Sequence, residues 1–391
     1  MRNPPEIPAR MRAVQDPVIP IVGEWTRDNP GTISLGQGVV SWRPPAEVYD
    51  AVAAFREDPD SQKYKLVQGI PPLLESIEDK LSSDNGIHVN AQDRIVVTAG
   101  ANMGFMNAVL AITDPGDEII LPAPYYFNHE MAVRIAGCIP RVVPNDAKHQ
   151  LQPGLLADAI NEKTRAIVTI SPNNPSGTVH PQADLTWVNQ ICREQGIYHI
   201  TDEAYEYFTY DGAQHFSPGS INDSKDHTIS LFSLSKSYGF ASWRIGYMVI
   251  PEHLMIAVKK IQDTNLICPP VISQYAAVAA MQAGPRSFAT GLSSLEEVRS
   301  KSIAMLDELG ERATCATAKG AFYFLLNVRS RQNPMALVRQ LVEQYKVAVM
   351  PGTAFGLEHG CYIRLSYGAL SPESVLKGIG RLVEGLQALT D

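Results

Sequence analysis

The sequence predicts an α/β fold built on a mostly parallel sheet, with a smaller α+β domain attached. Between about residues 94 and 250, short β-branched runs alternate with helix-length segments. The runs are RIVVTAG, EIILPAP, IPRVVP, RAIVTISP, HITDEAY, TISLFSLSK and RIGYMVIP. They are apolar along their length instead of alternating, as strands covered on both faces are. After about residue 285 the order changes: a long helical stretch leads into GAFYFLLNV, a helix, VAVMPGTAFG, YIRLSYG and a terminal helix. That is the pattern of a smaller α+β unit. The expected division is an N-terminal segment over 1–46 that packs with the small domain, a large domain over 47–285 and a small domain over 286–391.

Composition narrows the function classes. At 391 residues and 45% apolar, the chain has enough material for a sizeable core. The net charge is −8, from 33 basic and 41 acidic residues, and no basic run stands out. This weighs against nucleic acid and anionic membrane surfaces as partners. Cys138, Cys192, Cys268, Cys315 and Cys361 are odd in number and scattered, with no C-x-x-C pair. Neither a metal site nor a disulfide framework is expected, and free thiols suit a reducing, cytoplasmic setting. MRNPPEIPARMRAV places prolines where a signal peptide needs an apolar core. The longest apolar stretch, VVTAGANMGFMNAVLAIT, is broken by Gly100, Asn102 and Asn107, so it reads as strand, turn and helix and not as a membrane span.

In a doubly covered parallel sheet, ligands gather beyond the carboxyl ends of the strands. The polar residues that follow the apolar runs are Asn102, Asn174, Asp202, Tyr205, Ser233, Ser235 and Lys236, and they are expected to cluster there.

SLSKSYGFASWRIG, at 233–246, is the most informative stretch. Ser233 to Lys236 fits S-x-x-K, and Ser83-Asp84-Asn85 supplies an S-D-N triplet, the parts of a serine hydrolase. However, the triplet lies upstream, inside a turn, and no K-T-G follows. A second reading gives Lys236 an aldehyde cofactor, pyridoxal phosphate. The amine must be neutral to attack, which a desolvated site near cations favours. Ser233, Ser235 and Arg244 then serve as phosphate ligands, with the guanidinium as a bidentate fork. Ala101 and Asn102 open a helix after a strand, so their amides make an anion site. Asp202 would keep the pyridine nitrogen protonated. Asn174 and Tyr205 would hydrogen-bond the ring's phenolic oxygen, and Tyr126 would offer a flat surface. The bland readings are a solvated lysine, a turn at NNPSG and ordinary aromatic packing at a strand end.

The order of motifs then decides between these readings. YKLVQG at 64–69, TAGAN, APYY, NNPSG, TDEAY, SLSKSYG with WRIGY, GAFYF, PGTAFG and YIRLSYG follow one another along nearly the whole chain. This series resembles the class I/II aminotransferases, the fold type I pyridoxal-phosphate enzymes. The resemblance implies Lys236 as the Schiff-base lysine and proton carrier, with Asp202, Tyr205 and the other cofactor contacts as above. It implies that Tyr64 reaches the phosphate in a neighbouring subunit, hence a homodimer with shared active sites. It further implies Arg364 for the substrate α-carboxylate, with Asn174 and Gly38 beside the substrate. One departure is Ser242, where relatives carry glycine; another is Tyr126, which is tryptophan or phenylalanine in many of them.

The activity so implied is transfer of an amino group between an L-amino acid and a 2-oxo acid. SLGQGVVSWRPP looks like a subgroup related to plant methionine and aromatic aminotransferases, with Val39, Val40 and Trp42 expected to form an apolar pocket wall. The alternatives are an aspartate-type aminotransferase, which needs a second cation not assigned here, and a cysteine-conjugate β-lyase on the same fold. A cofactor-sensing regulator would be expected to carry a DNA-binding extension, and none is expected here.

Overall fold

The computed structural model describes residues 6–316 and 318–390. The first five residues of the expected N-terminal segment, with residues 317 and 391, lie outside the described residues. Seven strands form the larger sheet: β1 (Ile95–Thr98), β2 (Glu118–Ala123), β3 (Ile139–Pro144), β4 (Thr164–Ile170), β5 (Tyr198–Asp202), β6 (Thr228–Ser233) and β7 (Gly246–Val249). Their spatial order is β1-β7-β6-β5-β4-β2-β3. Pairings from β6 through β3 are parallel, so the strand reading holds in type and direction for most of the sheet. The central strands are apolar along their length because helices cover both faces: in each of β4, β5 and β6 all residues but one are buried.

β7 runs antiparallel to both β1 and β6. The reason is the connection: residues 234–245 turn straight back instead of crossing over the sheet, and a parallel return needs a longer crossover. Ser233 therefore pairs with Gly246. This return keeps Lys236 and Arg244 at one edge of the sheet. Asp202 aligns there with Ile170 and Leu231 on its neighbours, so the segments that leave β4, β5 and β6 emerge side by side.

The second sheet is antiparallel and comprises β8 (Ala313–Cys315), β9 (Tyr323–Val328), β10 (Met350–Pro351) and β11 (Cys361–Ser366), in the order β10-β11-β9-β8. The helix Pro372–Leu389 shares its core, burying Val375, Ile379, Leu382, Val383 and Leu386 at helical spacing. Its N-cap is Ser371, which accepts from the Ser374 amide. The N-terminal part joins this core: Ile33–Ser34 pairs in parallel with Val347–Ala348, and Val18, Val22 and Leu35 are buried with Leu337, Leu382 and Leu386. Farther on, the helix Ala46–Phe55 packs against Val271–Ala283 beside the larger sheet, with Phe55 edge-on to Tyr275.

Among the described residues, no helix is long and apolar enough to cross a membrane. No group of His, Cys, Asp and Glu there is arranged to hold a metal ion. All five cysteines are unpaired.

Candidate active site

A cavity of about 300 Å³ opens at the carboxyl edge of the larger sheet, where the second sheet and the N-terminal segment meet it. Twelve of the thirteen residues expected at a site line it: Gly38, Ala101, Asn102, Tyr126, Asn174, Asp202, Tyr205, Ser233, Ser235, Lys236, Arg244 and Arg364. Tyr64 does not, and its side chain is 76% exposed on the surface.

One end of the cavity is a ring of donors. The helix Ala101–Ile112 starts after Gly100, and the amides of Met103 and Gly104 both return to the Gly100 carbonyl. The first two amides, Ala101 and Asn102, have no intrahelical acceptor, as at every helix start. Gly100 is at φ 85°, and a Cβ there would come within 2.3 Å of Arg244 Nη2. The glycine is thus needed for both backbone and space. The Arg244 guanidinium is fixed by the carbonyls of Ala241 and Ala99, at 3.1 Å each. Ser233 and Ser235 sit beside it, with the Ser235 amide donating to Ser233 Oγ.

Lys236 extends toward the opposite wall. Its Nζ donates to the Gly38 carbonyl at 2.6 Å. Burial, with Arg364 and Arg244 nearby, brings its pKa down to about 8 against the opposing pull of Asp202. Asp202 ends β5 at 6% exposure. Its Oδ1 accepts from the Ala204 amide at 3.1 Å, and its Oδ2 lies 3.1 Å from His129 Nε2. His129 is itself held by stacking on Phe105, with ring centroids 4.0 Å apart.

Arg364 projects from β11 and is 2% exposed. Its Nη1 donates to Asn174 Oδ1 at 2.9 Å and its Nη2 to the Gly36 carbonyl at 2.5 Å. Nε is buried without a partner. No carboxylate is bonded to this guanidinium within the described residues, so a buried cation faces the cavity with donor capacity to spare, an arrangement that favours an incoming anion. The Tyr205 and Tyr323 hydroxyls are 2.7 Å apart. Burial raises both pKa values, that of Tyr323 to about 12, so both phenols keep their protons at neutral pH. Asn174 Nδ2 reaches Tyr205 Oη at 3.5 Å.

The sequence reading misses several lining residues. Tyr323 lies in the GAFYF motif with no local signal that marks it; Ile19, Gln37 and Phe127 also line the cavity. His129, three residues after Tyr126 at the start of the helix Phe127–Ile135, carried a usable helical-spacing signal. The expected apolar wall is corrected in part. Val39 lines the cavity, but Val40 and Trp42 do not. Trp42 turns away because its indole N–H donates to the Ser237 carbonyl at 2.8 Å and its ring stacks near Phe208. The S-D-N triplet is likewise remote from the cavity: Asp84 accepts from Tyr207 Oη, and Asn85 is tied to Glu206 and Ser217. Ser242 has no left-handed backbone, so it needs no glycine.

A family model described as aminotransferase class I and II matches residues 30–382. The chain belongs to that family. This aminotransferase is 33% identical over 366 residues to an aromatic aminotransferase of Arabidopsis thaliana, covering 91% of this chain and 90% of the relative. It is 34% identical to a probable aspartate/prephenate aminotransferase of Aquifex aeolicus, over 91% of each chain. Among solved structures it is similar to the Thermus thermophilus aspartate aminotransferase with maleate: TM-score 0.89, 28% identity, 98% of this chain and 100% of that one.

The enzyme is accordingly pyridoxal-phosphate-dependent, and its cavity suits the group on its own chemistry. The donor ring at the Gly100 turn contains amides, hydroxyls and a guanidinium but no carboxylate, which matches a phosphate. Asp202 supplies one buried carboxylate, and Lys236 one amine with a lowered pKa. An amino acid and a 2-oxo acid are the substrates of such an enzyme.

Proposed function

We propose that this aminotransferase acts on uncharged L-amino acids of the aromatic or methionine-like kind, passing the amino group to a 2-oxo acid. The observation that supports this most is the lining of the cavity. Its cations are Lys236, Arg244 and Arg364, and the remaining wall includes Ile19, Val39 and Phe127. Each cation has a role in the reading below, so among the described residues of this chain none in the cavity is left for a second substrate carboxylate.

In this reading, Ala101, Asn102, Ser233, Ser235 and Arg244 hold the phosphate, and Asp202 the pyridine nitrogen. Asn174 and Tyr205 hold the phenolic oxygen, and Tyr126 lies against the ring. When bound, pyridoxal phosphate supplies an aldehyde for the amino group and a ring that takes up the electrons of the broken Cα–H bond. Lys236 Nζ carries the proton. With its pKa near 8, about a tenth of it is neutral at pH 7, several hundred times more than for a free lysine. Asp202, anchored by His129 and the Ala204 amide, places its carboxyl group where positive charge must persist. Arg364 binds the α-carboxylate, whose two oxygens fit its fork better than a point charge. The Asn174 contact then fixes the height of the guanidinium beside Lys236.

The same proposal includes a homodimer in which Tyr64 of each copy serves the other copy's phosphate. An exposed tyrosine on a surface loop, outside its own chain's cavity, supports it. It also keeps the division at about 46 and 285, supported by the separate sheets and by the packing of residues 18–35 with the second one.

The rival reading is an aspartate-type enzyme, favoured by the names of several relatives. Steady-state kcat/KM with phenylalanine, methionine, tyrosine and aspartate, each against a common 2-oxo acid, separates them. Preference for the uncharged set is expected. A hundredfold preference for aspartate would overturn the reading. Pyruvate and ammonia accumulating from a cysteine conjugate would instead favour the β-lyase.

A further inference from the structure

Gly36, Gln37 and Gly38 form a short segment held from both sides. The Gly36 carbonyl accepts from Arg364 Nη2 and the Gly38 carbonyl from Lys236 Nζ. Just upstream, the Leu35 amide donates to Ala348 and its carbonyl accepts from Ser366. A side chain at either glycine would displace a neighbour. A Cβ at Gly36 would come within 2.2 Å of Met350 Cε, and one at Gly38 within 2.3 Å of Tyr323 Oη. The tripeptide can therefore display one side chain, that of Gln37, and its backbone is fixed between the candidate carboxylate-binding arginine and the candidate proton carrier.

Gln37 lines the cavity, is exposed, and its amide has no hydrogen-bond partner among the described residues. Of the other polar lining side chains, Tyr323 is bonded to Tyr205, and the rest are taken up by the cofactor or the α-carboxylate in the reading above. What remains for a substrate side chain is apolar surface from Ile19 and Val39 and one neutral amide that both donates and accepts. We infer that Gln37 is a specificity-determining residue, which selects uncharged substrates whose side chain ends in a hydrogen-bonding group, a phenol hydroxyl or a carboxamide. This inference rests on the proposed preference for uncharged amino acids. A polar site of this kind discriminates against the analogue that lacks the group, because the bound analogue covers the amide and leaves it unpaired.

The test uses two near-isosteric pairs, tyrosine with phenylalanine and glutamine with methionine, on the cofactor-loaded enzyme and on Gln37→Leu. The kcat/KM ratio within each pair is the readout, and the pairs distinguish the phenol from the carboxamide. Calorimetric binding of 3-(4-hydroxyphenyl)propionate and 3-phenylpropionate gives a second readout independent of turnover. In Gln37→Leu, at least one kcat/KM ratio and the tyrosine-analogue binding ratio, if the phenol is the ligand, are expected to fall about three- to tenfold, the worth of one hydrogen bond. Both kcat/KM ratios unchanged, in an enzyme that still prefers these amino acids to aspartate, would overturn the inference alone. Aspartate outranking all four would overturn the inference together with the substrate reading beneath it.

Discussion

Lys236 Nζ bonds the carbonyl of Gly38, 198 residues earlier in the chain, at 2.6 Å. Arg364 bonds the carbonyl of Gly36 from the other side. The amine and the guanidinium thus share one strip of backbone, which sets their spacing without placing a carboxylate between them.

A lysine in this position lowers stability at neutral pH. Its folded pKa of about 8 lies below the ordinary 10.5, so between these values the unfolded chain binds more protons and stability rises with pH. Below pH 8 the full penalty applies, no more than about 3 kcal/mol. Cofactor-free Lys236→Met should therefore melt above wild type at pH 7, with the gap narrowing toward pH 10. A gap that widens over this range would contradict the assigned shift.

Arg364→Lys keeps the charge but loses the fork. Asn174 Oδ1 and the Gly36 carbonyl cannot both be served while two donors remain for a carboxylate in the same plane. A fall in kcat/KM on the order of a hundredfold is expected, mostly in KM, while affinity for pyridoxal phosphate stays near wild type. Loss of cofactor affinity with an unchanged KM would place Arg364 at the wrong end of the cavity.

Gly100→Ala tests the phosphate end. The position is at φ 85° and the new Cβ would meet Arg244 Nη2 at 2.3 Å, so the guanidinium must move. With ψ at 163° this backbone is open essentially to glycine alone, so a side chain adds about 1–3 kcal/mol of strain. The affinity for pyridoxal phosphate, measured by equilibrium titration, should fall at least tenfold. Free inorganic phosphate should compete with the cofactor more weakly for the apoenzyme of this variant than for that of wild type.

His199 bears on acid stability. It is fully buried between Thr169 Oγ1 at 2.8 Å and Asn189 at 3.2 Å, and burial takes its pKa down to about 3. The unfolded chain protonates near pH 6.5, so stability is lost as pH falls from there toward 3, by about 1.4 kcal/mol per unit for this one group. Urea unfolding of His199→Gln should show a smaller loss between pH 7 and pH 5 than wild type, by up to about 2 kcal/mol. An equal loss would mean that His199 is not the titrating group.

Much of this architecture was legible in the sequence because its signals are local. Apolar runs marked β1 to β7, and the polar residues that follow them converge because parallel strands end at one edge. The antiparallel return of β7 was not legible from the runs alone; it follows from the short connection between Ser233 and Gly246. Contacts across long separations were also hidden. Tyr323 meets Tyr205 across 118 residues, and no periodicity encodes that. Trp42 was assigned to the pocket on apolar character, whereas the indole N–H decided its direction by finding the Ser237 carbonyl. Tyr64 was expected to serve a second copy, and its own chain leaves it exposed.

The central claim is that Lys236 is the residue that takes the cofactor. Borohydride trapping of the enzyme loaded with pyridoxal phosphate, followed by peptide mass spectrometry, tests it most directly. The account predicts one stable adduct on the peptide carrying Lys236, absent from Lys236→Ala. An adduct on another lysine, or an undiminished one in Lys236→Ala, would contradict it.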